Sequence, residues 1–501
     1  MELTAVLIDT VSNQEYIFSG NRLRENLGGS YLLKEAYDGP LKRALDGTAP
    51  GNAGTDAWKT SDSSVSLRGG AEVGYVGGGN ALLFFDGPER GAGFVREFTR
   101  LLLKSRPGLN TAFGFMRDFR LDEFKVSMKA LHDRLYEARN RSFPRTIPPM
   151  HGFTEACPYS GQTAELGRED SSGKLVSALS FSRISCSDAA REWLTSKVRN
   201  QMESLDFTDE IGELGQVDDR SYMAVVHIDG NSMGRRFMEC GDLGGLRRLS
   251  CAVYHATFSA FSSLVADATG VVRKLAADRR FNFGKTLPLR PVIIGGDDVT
   301  FVCEGRLALY FAERFMNHIA TESGAAGCGF NVCAGVSIVK SKYPFFKAYK
   351  LAEDLCEGAK RESRVRDDMS YLDYLISSGG FSGSVESIRR RHFVSTDGRD
   401  LHYGPYHLGR GHQKSIATLR DGVKMFHDDE RWSRAQAMNF RELLADDHDQ
   451  CRNFVLTNRL KLPDIPSITN SVAQLASANP FYDMLDAMDF YPRVLLDEVE
   501  L

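Results

Sequence analysis

Residues 291–305 read Pro-Val-Ile-Ile-Gly-Gly-Asp-Asp-Val-Thr-Phe-Val-Cys-Glu-Gly, and their reading decides the fold. Apolar β-formers precede the centre (Val292, Ile293, Ile294) and follow it (Val299, Thr300, Phe301, Val302). Two strands joined by a glycine-bearing turn make a β-hairpin. Adjacent carboxylates at Asp297 and Asp298 repel one another and lose hydration when partly buried. A divalent cation relieves both penalties, so the stretch points to a magnesium site for phosphate chemistry. Asp and Gly are also ordinary turn residues. What separates the two readings is a third carboxylate arriving on a matching strand.

Such a carboxylate lies upstream. Tyr222 to Ile228 reads as a buried strand that ends in Asp229, and Gly230, Asn231 and Gly234 loosen the turn into the next helix. A strand ending in Asp, then a turn with free backbone N–H groups, suits a metal and a polyphosphate held side by side. The order that follows is helix (246–275), the hairpin, helix (306–323), strand (329–339) and helix (344–360). This is a βαββαβ ferredoxin-like core with one added helix. In that topology Asp229 and the hairpin turn fall on adjacent strands.

The segment resembles the second palm domain of the large polymerase-like subunit of type III CRISPR effector complexes. The resemblance is carried by HIDGNSMG (227–234), IIGGDDVTF (293–301) and CAGVSIVKSKYPFFKAYKLAEDLCEGAK (333–360). That palm is related to GGDEF nucleotide cyclases and in the family polymerises ATP into cyclic oligoadenylate messengers. The resemblance implies Mg2+ or Mn2+ held by Asp229, Asp297 and Asp298, with the Ile228 carbonyl as an extra ligand. It implies phosphate contacts from Gly230, Asn231, Gly234, Gly295 and Gly296, and Lys360 neutralising a triphosphate. A mono- or dinucleotide cyclase of GGDEF type and a non-catalytic RNA-binding scaffold stay open as alternatives. The implied partners are nucleoside triphosphates, with a homo-oligomer or a partner protein compatible, nucleic acid undecided and no membrane.

An internal repeat extends the argument. Leu3 to Ile8 is a second apolar strand ending in an aspartate, Asp9, and Gly77-Gly78-Gly79-Asn80 sits in a second hairpin. Asp9 to Asn80 spans 71 residues and Asp229 to Asp298 spans 69. Gly114 to Arg139 and Gly335 to Lys360 both span 25, and each basic residue follows an alanine. The first copy has Gly79 and Asn80 where the second has two carboxylates. Hard cations need several charged oxygens, so the first copy is expected to be catalytically silent, either buttressing the second or holding a nucleotide across a shared cleft. Gln14 to Phe18 and the Gly28-Gly29-Ser30 stretch resemble a family segment in which a Gln-aromatic helix leads to a Gly-Ser. Gly28 to Ser30 are expected either to approach a nucleotide or to form a turn between helices.

The expected fold class is α+β: two ferredoxin-like palm domains plus a C-terminal, mainly helical domain. The expected boundaries are 1–140 (first palm), 141–216 (linker), 217–376 (second palm with GGDD) and 377–501 (helical). The chain has 501 residues, 42% hydrophobic and 26% charged, with net charge −4, so extensive duplex binding is not favoured. No run approaches about 18 apolar residues. Nine cysteines without a C-x-x-C pair fit a reduced, cytoplasmic chain. Cys157-Pro-Tyr-Ser160 resembles half of a zinc-binding turn with serine in place of the second cysteine. Hydroxyls ligate zinc poorly, so no zinc is expected there. The first strand begins near residue 3, which leaves no room ahead of it for the HD-type nuclease domain that often opens the family's subunit; a compact, stand-alone relative lacking that domain is expected.

Overall fold

The computed structural model describes residues 3–50, 58–60, 62–141, 154–165, 167–217, 221–366, 368–377, 379, 383–412, 414–446, 448–462 and 480–498. The N-terminal unit carries β1 (Leu3–Val11), β2 (Ala71–Gly77), β3 (Asn80–Phe85) and β4 (Asn110–Phe119). They form an antiparallel sheet in the order β2-β3-β1-β4. The second unit carries β5 (Tyr222–Gly230), β6 (Leu289–Gly295), β7 (Asp298–Glu304) and β8 (Val332–Lys340). Its order β6-β7-β5-β8 repeats that of the first sheet. Two further strands widen it: β9 (Tyr371–Ile376), parallel to β8, and β10 (Tyr406–His407), antiparallel to β9.

The repeat holds in detail. Ser12 (φ 56°) and Ser232 (φ 55°), each three residues past the strand-end aspartate, are both left-handed, a conformation uncommon outside glycine. Each precedes a six-residue helix, Asn13–Phe18 and Met233–Met238. Long helices follow at matching offsets, Leu23–Thr48 and Leu243–Lys274. Gly114 and Gly335 also have one role. A Cβ on Gly114 would lie 2.7 Å from the Leu131 carbonyl oxygen, and one on Gly335 would lie 1.9 Å from that of Ala352. Both glycines let the unit's closing helix, Phe124–Arg141 or Phe345–Arg366, lie directly on the sheet.

Alternation along β5 sends Ala224, Val226 and Ile228 into one core with helices Leu243–Lys274 and Ala308–Ala325. Met223 and Val225 face the other way, into a core shared with Phe345, Ala348 and Tyr349 of the closing helix and with Ile17 and Phe18 of the first unit. The first unit reciprocates: Ala5, Leu7, Leu82 and Phe84 pack with Met128, Leu131 and Leu135 and with Leu243 and Leu246 of the second. Arg247, 2% exposed, fixes this seam. It donates to the carbonyls of Asp62 (2.8 Å), Val73 (2.9 Å) and Gly74 (3.0 Å) and to Glu72 (2.9 Å). The two hairpin turns meet across the seam, where a Cβ on Gly296 would lie 4.0 Å from Gly78 Cα.

Helix Leu243–Lys274 is long and apolar enough to cross a membrane by length and composition. Its residues Val253, Ala260, Phe261 and Leu264 are buried in the second unit's core. Gly28, Gly29 and Ser30 form neither a turn nor a nucleotide loop: they lie inside the continuous helix Leu23–Thr48. A Cβ on Gly28 would lie 1.8 Å from the Arg183 carbonyl oxygen, so this glycine admits helix Ala178–Ser185 of the linker.

The C-terminal part is mainly helical, with helices such as Ile416–Asp428, Arg434–Asp446 and Pro480–Ala487. The helical domain expected over 377–501 lies partly outside the described residues. A buried polar knot ties this part to β9. Asp373 accepts from Arg389 (2.7 Å) and pairs with His402 (3.0 Å), while Asp483 accepts from the Tyr406 hydroxyl (2.6 Å) and the Tyr403 N–H (2.9 Å). Burial alone would lower the His402 pKa, but the Asp483 and Asp373 charges outweigh it and hold it at about 9. His402 thus helps keep Asp483 ionised and, behind the stronger effect of Arg389, Asp373 as well.

In the linker, Cys157 and Ser160 form one half of a knuckle: the Gly161 N–H donates to the Cys157 carbonyl at 2.9 Å. The structure supplies the other half, Ser177 and Ser180. Ser160 Oγ is 3.1 Å from Ser177 Oγ, and Cys157 Sγ is 3.6 Å from Ser180 Oγ. The spacing is therefore C-x2-S, sixteen residues, S-x2-S, that of a four-thiolate zinc ribbon with three thiols replaced. Burial raises the Cys157 pKa, but hydrogen bonds from Ser160, Ser177 and Ser180 outweigh it and bring the thiol to about 7. Metal analysis of purified protein is expected to find no stoichiometric zinc here. The triple variant Ser160→Cys, Ser177→Cys, Ser180→Cys is expected to gain one zinc per chain. A triple variant that takes up none would mean the four positions do not retain ligand geometry.

Candidate functional site

Ile228 pairs with Val299 between β5 and β7, so Asp229 and Asp298 end the same pair of strands. Gly295 pairs with Asp298 and closes a two-residue turn, Gly296-Asp297. Only the first turn residue, Gly296 (φ 61°), is left-handed, the hairpin pattern that leaves a normal backbone for a side chain at the second. Gly230 makes room for it: a Cβ there would lie 2.8 Å from Asp297 Cβ. The sequence-predicted Asp229, Asp297 and Asp298 thus converge, and Lys360 comes with them. Its ammonium donates to the Asp229 carboxylate and, at 3.0 Å, to the Gly230 carbonyl.

One lysine faces three carboxylates. Side-chain exposure is 34% for Asp229, 28% for Asp298 and 12% for Lys360, so the group sits at the edge of solvent. Burial, then the charge of Asp229, pushes Asp297 up to about 7. Burial, then Asp229 and Asp297, pushes Asp298 well above the usual carboxylate range. Asp298 Oδ1 has no hydrogen-bond partner. The cluster is short of positive charge in its present state.

Behind Asp298 lies a shell that the sequence did not disclose. His227, 3% exposed, places Nδ1 2.9 Å from Thr300 Oγ1 and 3.5 Å from Asp298 Oδ1. Burial holds its imidazole below the ordinary value. Tyr349 meets the His227 ring edge-on at 5.6 Å, and its hydroxyl is buried without a partner. The i, i+2 spacing of His227 and Asp229 on one strand was the available signal, since such residues share a face.

The glycine-rich turn is arranged differently from a free phosphate cradle. The Asn231 N–H donates to the Asn331 carbonyl at 2.8 Å, and its side-chain amide donates to Ser363 Oγ (2.9 Å) and the Met369 carbonyl (3.0 Å). Asn231 thereby anchors the end of the closing helix. Gly230 lies in β5 opposite Val332, and the Ile228 side chain is buried in the helix-side core. Gly234, in helix Met233–Met238, has open space around its Cα. Among the described residues no group of three or more His, Cys, Asp or Glu side chains is arranged to hold a metal ion. The donor chemistry nevertheless fits a hard divalent cation: carboxylate oxygens, one unpartnered, at a site lacking positive charge.

The charge deficit has a sign that thermal melting reads. The folded-state pKa of Asp297, about 7, lies above its ordinary 3.8, so the folded chain holds a proton that the unfolded chain releases between those values. The penalty is absent below about pH 4 and complete above about pH 7. The double variant Asp297→Asn, Asp298→Asn is therefore expected to melt about 2–4 °C above the parent at pH 8 without divalent ions. The gap should close towards pH 4, and Mn2+ at pH 8 should raise the melting temperature of the parent alone. Equal melting at every pH would show that the carboxylates are not under mutual stress.

Residues 222–370 match the family model of the Cas10/Cmr2 second palm domain. No curated protein matches the chain. Among solved structures, the apo Csm1–Csm4 cassette matches with a TM-score of 0.57 at 13% identity, covering 100% of this chain and 70% of the other. The same cassette in complex with cA4 gives 0.57, 13%, 100% and 70%. In complex with pppApApA it gives 0.55, 13%, 97% and 68%. Strand order, the GGDD hairpin and both sets of matches agree: the chain resembles the large, palm-containing subunit of type III CRISPR effector complexes, with its Cas10/Cmr2 second-palm segment at residues 222–370.

Proposed function

We propose that this chain is a palm-domain nucleotidyltransferase that joins ATP into oligoadenylates, cyclic in their final form, as second messengers in anti-phage defence. The observation that carries the reading is the charge-deficient trio Asp229, Asp297 and Asp298 beside Lys360, at a seam between two palm-like units. Solved structures of the same fold are complexes with ATP, pppApA, pppApApA, cA3 and cA4. They are also two-protein cassettes, which supports a partner protein for this chain. The domains are assigned as 1–140, 141–216, 217–376 and 377–501.

Asp229, Asp297 and Asp298, with the Ile228 carbonyl, would hold Mg2+ or Mn2+. Such ions, when bound, acidify a ribose hydroxyl and stabilise the pyrophosphate leaving group. The protein's own part is placement. The hairpin turn fixes two carboxylates side by side, and Gly230 gives Asp297 its space. Lys360, paired with Asp229, would also offer its ammonium to a triphosphate bound at the site. Attack of one nucleotide's ribose hydroxyl on the α-phosphorus of the next forms the phosphodiester bond and releases pyrophosphate. The first unit's hairpin lies against the second's, and two nucleotides held across that seam would suit a reaction that joins them.

Purified protein incubated with each nucleoside triphosphate and Mg2+ or Mn2+ tests this. ATP consumption with pyrophosphate release is expected, with oligoadenylates identified by mass spectrometry. The variant Asp297→Ala, Asp298→Ala should lose at least about 10²-fold in rate. Dinucleotide products would favour the GGDEF-type output. Consumption of no nucleotide under any condition, or a double variant as active as the parent, would sink the proposal.

A further inference from the structure

We infer that His227 is a positioning residue for the second unit's carboxylate site: held by Thr300 and Tyr349, its ring nitrogen braces Asp298. The inference rests on the proposed metal-dependent reading and adds to it a residue outside the acidic motif.

The repeat supplies the argument. His227 and Thr300 stand directly opposite one another on β5 and β7. They lie two residues before Asp229 and two after Asp298. The same places in the first unit, two before Asp9 and two after Asn80, are Leu7 and Leu82, directly opposite on β1 and β3. The closing helix adds a third residue to each pair. It is Met128 in the first unit and Tyr349 in the second, each 14 residues beyond the equivalent glycines Gly114 and Gly335. Two equivalent trios therefore occupy one point of a shared frame. Leu7, Leu82 and Met128 belong to an apolar core. His227, Thr300 and Tyr349 lie behind Asp298.

All of these side chains are buried, none more than 5% exposed. An imidazole, a hydroxyl and a phenol taken out of water cost free energy unless they are hydrogen-bonded. The fold does not require them, because the first unit closes the same frame with two leucines and a methionine. What differs beside the trio is the turn, Gly79 and Asn80 in the first unit and Asp297 and Asp298 in the second. The polar trio accompanies the carboxylates.

The distances assign its part. His227 Nδ1 lies 2.9 Å from Thr300 Oγ1 and 3.5 Å from Asp298 Oδ1. Thr300 fixes the orientation of the ring, and Tyr349 closes on it edge-on, 5.6 Å between centroids. A carboxylate oxygen this near favours the tautomer that carries its proton on Nδ1. That N–H donates to Thr300 and leaves its positive end near Oδ1, which has no hydrogen-bond partner of its own. The Asp298 carboxylate is thereby held in one rotation beside its chain neighbour Asp297. Residues that orient ligating carboxylates set metal affinity by about 10- to 100-fold.

Mn2+ alone, titrated into the full purified chain and followed by electron paramagnetic resonance of the free ion, tests the inference without turnover. The double variant His227→Leu, Thr300→Leu gives the second unit the pair that the first unit already packs. Replacing both partners of a buried hydrogen bond by apolar groups is close to neutral for stability, so this variant is expected to melt near the parent. Its Mn2+ binding is expected to weaken about 10-fold. His227→Asn places an amide N–H near the position of Nδ1 and is expected to hold affinity within about threefold. Thr300→Val keeps the shape, frees the ring and is expected to cost about fivefold. Affinity within about twofold of the parent in the double variant or in Thr300→Val, beside a clear loss in Asp298→Asn, would overturn the role of His227 and leave the proposed function standing. Equal losses in the double variant and in His227→Asn would tie the effect to packing alone and overturn that role as well. A parent chain that binds no Mn2+ would overturn the metal site and this inference with it.

Discussion

A four-stranded antiparallel sheet with its two connecting helices on one side leaves its other face bare, and covering that face builds this molecule. β5 carries apolar residues on both faces, Ala224 and Val226 towards the helices and Met223 and Val225 away from them. Exposing the second set to water is unfavourable in proportion to its apolar area. Each unit covers part of its bare face with its own closing helix and part with the first helices of the other unit. The cover is therefore reciprocal, and the ends of both hairpins are forced to the seam. Arg247 suits this position because its buried guanidinium finds three carbonyls and the Glu72 carboxylate to accept from it.

The same burial that stabilises the seam sets the electrostatics of the site. In the first unit one carboxylate, Asp9, meets one guanidinium, Arg139, at 3.1 Å. Burial raises the Asp9 pKa and Arg139 lowers it. In the second unit the equivalent pair, Asp229 and Lys360, is joined by two more carboxylates with no added cation. The backbone frame is shared, so the difference is one of charge count. A balanced ion pair is explained by structure alone, whereas three carboxylates beside one lysine leave two without a counter-charge, and their raised pKa values are the consequence.

The sequence disclosed those parts of the fold that local chemistry writes. Continuous apolar runs before Asp229 and on both sides of Gly295-Gly296 gave strands, and the equal spacing from Gly114 to Arg139 and from Gly335 to Lys360 gave the repeat, because each glycine and each cation does the same job in its unit. Contacts between residues far apart in the chain were not legible. Asn231 beside two glycines read as phosphate-binding, but its partners are Ser363 and Met369, more than a hundred residues away. Gly28 to Ser30 read as a nucleotide contact or a turn because the partner that needs the glycine, Arg183, lies in the linker. Cys157 and Ser160 looked like half a motif because serines carry no metal signature, which hid Ser177 and Ser180. β9 escaped as a strand because its pairing with β8 is parallel and runs through the helix Phe345–Arg366.

The asymmetry between the units is built in sterically as well as electrostatically. Gly79 stands at the position of Asp297, but its φ of 80° belongs to a turn in which both central residues are left-handed. A Cβ on Gly79 would fall 2.6 Å from the Asn13 amide nitrogen. Asn13 therefore occupies the space that an aspartate would need, and the backbone at that point disfavours any side chain. In the second unit the equivalent of Asn13 is Met233, whose flexible side chain packs beside Gly230 and leaves Asp297 its place. Restoring a carboxylate at position 79 alone would meet both obstacles. The first unit meets the second through its own turn, at Gly78 beside Gly296, and through the helix that begins with Asn13, whose Phe18 stacks on Tyr349.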